Sequence, residues 1–174
     1  SVVIVGPGPI GLLAVVAAKD VGAQPIILIG TRDSRLEIGE ALGADHTVNI
    51  TKVRDPAEEV KKLTNGSGAD VILETAGTPS AQSQSLKMVR KAGTVVLVGL
   101  TGGKGLTIDP DSDLMARELD VKASFLSAHA YEESIRIIQS GRFELKRLIT
   151  HIYPLRDVEK AFWTVMKRES GAIK

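Results

Sequence analysis

The chain has 174 residues and a formal net charge of +1, from 22 Lys and Arg against 21 Asp and Glu. That length fits one domain of ordinary size with its own core, and the even balance excludes a global field for nucleic acid or an anionic membrane, so any anion recognition is local. Cysteine is absent, which removes disulfides, thiolate zinc ligands and a cysteine nucleophile and is compatible with a reducing cytoplasm, the expected location.

Val2-Val3-Ile4-Val5 is a short apolar run rich in β-branched residues, and it leads straight into Gly6-Pro7-Gly8-Pro9-Ile10-Gly11, a G-x-G-x-x-G pattern. Residues 12–19 are helix-forming in composition, so the stretch reads as strand, tight turn and helix. Gly6 permits the turn off the strand, Gly8 leaves room for a pyrophosphate to approach the backbone, and Gly11 lets the helix pack on the strand. The free N–H groups and positive dipole end at the helix start then face the phosphates. A glycine pattern alone is weak evidence; with both flanking elements present it reads as a dinucleotide site.

Gly22 supplies a stop, and residues 25–29 form a second buried-type strand. Residues 33–42 read as a capped amphipathic helix with Leu36, Ile38 or Gly39, and Leu42 toward the sheet, followed by a short third strand over 46–50. A helix opens at Asp55 as N-cap with Pro56 first, acids early and lysines late. A fourth strand (71–74), a helix over 80–91 stopped at Gly93 and a fifth strand (94–98) follow. This alternation predicts an α/β fold, a doubly wound, mainly parallel Rossmann sheet with helices on both faces. Beyond it the pattern predicts an edge strand over 106–108, a short helix over 113–119, a sixth strand over 121–125 and a helix over 131–140 with Ile135, Ile137 and Ile138 inward. Residues 148–153 read as extended, and 155–167 as a last helix with Val158, Ala161, Phe162 and Val165 inward. No stretch approaches the roughly 20 apolar residues of a membrane span. The chain opens on Ser1 and enters a core strand at once, and its last residues read as the start of another strand. Residues 1–174 are therefore expected to be a single dinucleotide-binding domain, a piece of a longer protein.

The choice of dinucleotide rests on the end of the second strand. In an NAD site an acid stands there, about 20 residues beyond the glycines; here the residue is Gly30. Thr31-Arg32-Asp33-Ser34-Arg35 follows. Gly30, Thr31, Arg32 and Arg35 suit a 2′-phosphate, which needs charge-assisted donors and no carboxylate facing it. Asp33 could turn toward the ribose, though it reads better as the N-cap of the next helix, and the plain reading of both arginines is solvated surface charge. NADP(H) is thus favoured over NAD(H).

Other chemistries fail on spacing. The Tyr-x-x-x-Lys pair of short-chain reductases is absent, since Ile135 follows Tyr131 and Asp157 follows Tyr153 at that distance. Gly103-Lys104 resembles part of a P-loop, but Val98 stands where its first glycine belongs and Gly105 replaces the magnesium-holding hydroxyl. Asp109, Asp111 and Asp113 have calcium-loop spacing, yet Leu114 and Asp120 occupy the glycine and glutamate positions, so helix capping explains them better. His46, His129 and His151 lie in separate elements and read as packing or surface residues.

The glycine turn, Arg35-Leu36 with Leu42-Gly43-Ala44-Asp45, Gly68-Ala69-Asp70-Val71, residues 93–99, and Leu148-Ile149-Thr150-His151 with Pro154-Leu155 run in order along nearly the whole chain. Together they resemble the cofactor-binding half of the medium-chain dehydrogenase/reductase superfamily, in its zinc-dependent alcohol, polyol and threonine dehydrogenase branch. The resemblance implies hydride transfer between a nicotinamide and an alcohol or carbonyl, and self-association through sheet edges. It places the pyrophosphate on Gly8, Pro9, Ile10 and Gly11, the nicotinamide side against Thr75 and the backbone of Val98, Gly99 and Leu100, and Phe125 with Leu126 over it. Polyol-type members often carry Arg at the place of Leu126, a departure that leaves the subgroup open. Lys174 lies near a basic position that can reach the pyrophosphate. The resemblance also puts the zinc ligands, proton relay and most of the substrate pocket in an N-terminal domain outside this chain, so the chain alone is expected to bind cofactor and lack the chemistry. The readings left beside it are a free-standing module that senses a nicotinamide cofactor, and S-adenosylmethionine or another adenosine ligand, which two arginines suit less well than a phosphate.

Overall fold

The β-branched run at the start forms β1 (Val2–Val5), and the chain then alternates through α1 (Pro9–Asp20), β2 (Ile26–Gly30), α2 (Asp33–Leu42), β3 (His46–Asn49), α3 (Pro56–Leu63), β4 (Ala69–Glu74), α4 (Pro79–Met88) and β5 (Val89–Leu97). β6 (Asp120–Ala123), α5 (Tyr131–Gln139) and α6 (Val158–Met166) complete it. The structure, a computed structural model, describes residues 1–126, 130–167 and 169–174. His129, read above as a packing or surface residue, lies outside them.

Among the described residues, six strands form one parallel sheet in the order β3-β2-β1-β4-β5-β6. Val3 of β1 pairs with Ile27 of β2 on one side and Ile72 of β4 on the other. Chain order reverses between β1 and β4, so a crevice opens at the carboxyl ends of those two strands, where doubly wound sheets bind ligands.

The near-continuous apolar strands follow from burial on both faces. Val3, Val5, Ile27 and Ile29 point toward α3 and α4, packing with Val60, Leu86 and Met88. Ile4, Ile26 and Leu28 point the other way, toward Leu12, Val15 and Val16 of α1 and Leu36 and Leu42 of α2. Each such side chain taken fully out of water contributes about 1.5–3 kcal/mol. Leu148 and Ile173 join the second cluster, which ties the end of the chain to the α1 and α2 face.

Helix starts follow their sequence signals where a cap exists. Asp55 accepts a hydrogen bond from the Ala57 N–H at the head of α3, and Thr78 accepts from Ala81 at the head of α4. Asp33 differs from its expected role: Arg32 is the N-cap of α2, and Asp33 is already in the first turn.

Other departures have local causes. α4 ends at Met88 and not near residue 91, because Val89 extends to pair with Ala69 and the chain turns through Ala92 at φ 53° before Thr94. Residues 106–108 form no strand, although Leu106 and Ile108 pack against the first core cluster. The expected helix over 113–119 is a π turn (Pro110–Leu114) followed by a 3₁₀ turn (Met115–Arg117). Asp109 accepts from the Asp111 N–H and Asp113 from the Asp109 N–H, so these aspartates close the turn. Residues 149–154 carry no regular structure. α5 turns Ile137 inward but leaves Ile135 and Ile138 exposed; it is fastened by Arg136 and Arg142, which both pair with the buried Asp20 carboxylate. In α6 only Thr164 is buried, hydrogen-bonded to the Tyr153 hydroxyl at 2.9 Å, while Val158, Phe162 and Val165 face solvent.

Candidate functional site

At the crevice the chain leaves β1 through Gly6 at φ 106°, in the left-handed region, and a Cβ there would sit 2.9 Å from the Ala76 nitrogen. A Cβ on Gly11 would lie 1.9 Å from the Gly6 carbonyl oxygen, so α1 comes as close to the turn as its backbone allows. Gly8 is different: nothing lies within 4 Å of where its Cβ would be. This open side faces the N-terminus of α1, whose first turn begins at Pro9 with Gly8 as cap. The leading N–H groups of a helix have no intrahelical acceptor and, with the dipole, suit a phosphate.

A cleft of about 350 Å³ runs from this turn across the ends of β2 and β4, lined among others by Gly6, Gly8, Gly30, Thr31, Arg32, Arg35 and Thr75. No carboxylate is among its lining residues. Larger open grooves lie elsewhere, at β3 and along α6; they are wider but lack the convergence of a helix start and strand ends.

The residues beyond β2 have distinct positions. Arg32 is half-buried and makes no side-chain hydrogen bond or ion pair among the described residues. Arg35 also lines the cleft, but its Nη2 donates to the Ala172 carbonyl, so the C-terminal segment holds this guanidinium. The Asp33 carboxylate is turned away, accepting from Asn49 Nδ2 at 2.8 Å and Lys52 Nζ at 2.7 Å. The bond from Lys52, then that from Asn49, holds this carboxyl below its ordinary range.

Thr75 follows β4, and its hydroxyl faces the glycine turn, donating toward the Val5 carbonyl at 2.8 Å and the Gly6 carbonyl at 3.0 Å. Val98 and Gly99 lie beside it, since both their N–H groups donate to the Glu74 carbonyl at 2.9 Å. Pro9, Ile10 and Gly11 form the helix start behind the turn, and Leu100, Phe125 and Leu126 are exposed past the ends of β5 and β6. None of these lines the cleft itself. Lys174 is exposed, and its carbonyl accepts from the Thr150 and His151 N–H groups.

Three residues were not singled out from the sequence. Pro7 lines the cleft, and its ring fills the space beside Gly30. Glu74 is fully buried, and Gln82 lies behind it on α4. The one available signal for Glu74 was an acid closing an apolar strand run.

A profile of zinc-binding dehydrogenases matches residues 9–140. The chain belongs to that family. Sorbitol dehydrogenase of Bacillus subtilis is 34% identical over 174 residues, covering 100% of this chain and 49% of its own length. L-threonine 3-dehydrogenase of Pyrococcus horikoshii is 37% identical over 177 residues, covering 99% of this chain and 50% of its own length. Among solved structures, an oxidoreductase of unknown specificity from Escherichia coli superposes with a TM-score of 0.92 at 32% identity, covering 99% of this chain and 49% of that one. The chain thus spans about half the length of these relatives. The sequence has no cysteine, and the described His, Asp and Glu residues form no group of three or more placed to hold a metal ion. No helix of the described residues is long and apolar enough to cross a membrane.

Proposed function

We propose that this chain is the NADP(H)-binding domain of a zinc-dependent dehydrogenase acting on alcohols, polyols or their carbonyl counterparts, and that it is inactive alone. The observation that carries the cofactor choice is the cleft beyond β2, which offers Arg32 and the Thr31 hydroxyl and no carboxylate, while Asp33 is held away by Asn49 and Lys52. In this reading the α1 N-terminus and the open backbone at Gly8 take the pyrophosphate, with Pro9, Ile10 and Gly11 shaping that turn. Arg32 and Thr31 take the 2′-phosphate beside Gly30, and Arg35 adds field from its place against Ala172. Val98, Gly99 and Leu100 line the nicotinamide side beside Thr75, with Phe125 and Leu126 closing over it. The bound nicotinamide supplies the hydride carrier; this chain's residues orient it and exclude water.

The zinc and the substrate pocket belong to the remaining half of the protein. Exposed Ile152, Leu155, Phe162 and Met166 give that half an apolar surface to pack against. Pairing of sheet edges into a homo-oligomer and residence in the cytoplasm complete the proposal, with no nucleic-acid or membrane partner.

Calorimetric titration of the chain and of its Arg32→Ala variant with NADPH and NADH tests it. The wild type binds NADPH more tightly. Arg32→Ala loses roughly ten- to hundred-fold for NADPH, as expected for a charge-assisted bond of about 1.5–3 kcal/mol, and little for NADH. Tighter NADH binding by the wild type contradicts the NADP(H) assignment, and alcohol oxidation by the isolated chain at a normal enzymatic rate contradicts its inactivity.

A further inference from the structure

Glu74 closes β4 inside the protein, fully buried, with no charged partner among the described residues. An apolar side chain would serve packing at this place, as it does at Val5 on the neighbouring strand. The carboxylate instead takes up main-chain donors. Its Oε1 accepts from the Ala76 N–H at 2.8 Å and the Gly77 N–H at 2.9 Å, the amides exposed as the chain turns off the strand. Its own carbonyl accepts from Val98 and Gly99, the residues leaving β5. Residue 74 therefore grips both loops at the nicotinamide side, one by its side chain and one by its backbone.

A second arm comes from α4. Gln82, 7% exposed, donates from Nε2 to the Gly99 carbonyl at 3.3 Å. Between the arms the loops touch backbone to backbone: a Cβ on Gly99 would lie 2.2 Å from the Gly77 nitrogen, and one on Gly77 would lie 2.6 Å from the Leu100 carbonyl oxygen. Glu74 Oε2 stands 3.0 Å from that same Gly99 Cβ position and has no hydrogen-bond partner among the described residues. A buried oxygen so placed is retained at a cost, which points to a role beyond filling space.

We propose that Glu74 and Gln82 form a buried bracket that sets the spacing of the Ala76–Gly77 and Val98–Leu100 loops, so that Glu74 is a positioning residue for the nicotinamide half of the cofactor. The adenosine half, at α1 and Arg32, shares Ala76 with the bracket, but Glu74, Gln82 and the Val98–Leu100 loop do not line that cleft, so the bracket bears chiefly on the nicotinamide half. The proposal rests on the dinucleotide reading given above.

The test titrates the 174-residue chain and its Glu74→Ala, Glu74→Gln and Gln82→Ala variants with NADPH and with 2′-phospho-ADP-ribose, which lacks the nicotinamide. The wild type binds both. Glu74→Ala and Gln82→Ala lose about tenfold for NADPH and less than about twofold for the truncated ligand. Glu74→Gln, whose amide oxygen replaces Oε1, recovers to within about threefold of wild type. Equal losses for both ligands, no loss for either, or a Glu74→Gln variant as weak as Glu74→Ala overturns the bracket. Circular dichroism checks folding; if Glu74→Ala unfolds, Gln82→Ala and Glu74→Gln decide the matter. A wild type that binds neither ligand fails the dinucleotide reading itself, and the bracket falls with it.

Discussion

The ring of Pro7 occupies the space where a side chain at residue 30 would begin: a Cβ built on Gly30 lies 2.5 Å from Pro7 Cγ and 3.2 Å from Leu36 Cδ2. Glycine is thus fixed there by packing, and the absence of an acid at the end of β2 is built into the glycine turn itself. Gly30→Asp alone is expected to weaken both cofactors by more than about tenfold, because the ring and the new side chain cannot share the space. Pro7→Ala with Gly30→Asp opens the space, restores binding and moves the preference toward NADH, since a carboxylate accepts from ribose hydroxyls and repels a 2′-phosphate. Fluorescence titration of the wild type, the Gly30→Asp variant and the double variant with both cofactors measures this. A Gly30→Asp single variant that binds NADH as tightly as the wild type binds NADPH would contradict the packing argument.

At the scale of elements, α4 depends on a cap that comes from far along the chain. The Arg117 guanidinium donates to the Leu86 carbonyl, one of the oxygens left without an intrahelical partner in the last turn of α4, and to the carbonyl of Val89, where β5 begins. Arg117→Ala is expected to destabilise the chain by roughly 1–2 kcal/mol, at the low end for charged hydrogen bonds because the side chain is partly exposed, and Arg117→Lys by less. Urea unfolding checks both, and an Arg117→Ala midpoint equal to wild type would contradict the role. α4 ends before the residue 91 that its sequence predicts, for a non-local reason. Met88 and Val89 suit a helix face or a buried strand equally, and the pairing of Val89 with Ala69 that settles the matter is not local. The first hundred residues were legible because each strand and helix carries its own periodicity and punctuation, from the Asp55-Pro56 start to the glycine stop at Gly43. Past β5 the signal weakens, and α6 shows why: its spacing predicts Phe162 and Val165 inward, yet the polar Thr164 is buried and those two are exposed. Site positions divide the same way. The glycine turn and the segment beyond β2 were readable from spacing, whereas the outward turn of Asp33, the grip of Ala172 on Arg35 and the Pro7 ring against Gly30 are tertiary facts with no local mark.

The whole molecule joins a well-packed sheet, whose strands β1 and β2 are almost wholly buried, to a looser C-terminal part with Ile152 and Leu155 nearly fully exposed. The two are linked at the cleft beyond β2, because Ala172 holds Arg35 while Ile173 packs into the α1 and α2 face. A ligand seated between β1, β2 and β4 would therefore stabilise the fold as a unit, and a ligand that binds only the folded state raises stability by about 2.7 kcal/mol at one hundred times its dissociation constant. For a chain of this size that corresponds to a rise of roughly 5–10 °C in Tm. The most direct measurement is the thermal unfolding of the chain alone, with NADPH and with NADH at equal concentration. A rise of that size is expected with saturating NADPH and less than half of it with NADH; an equal or larger rise with NADH, or no rise with either, would contradict the NADP(H) assignment.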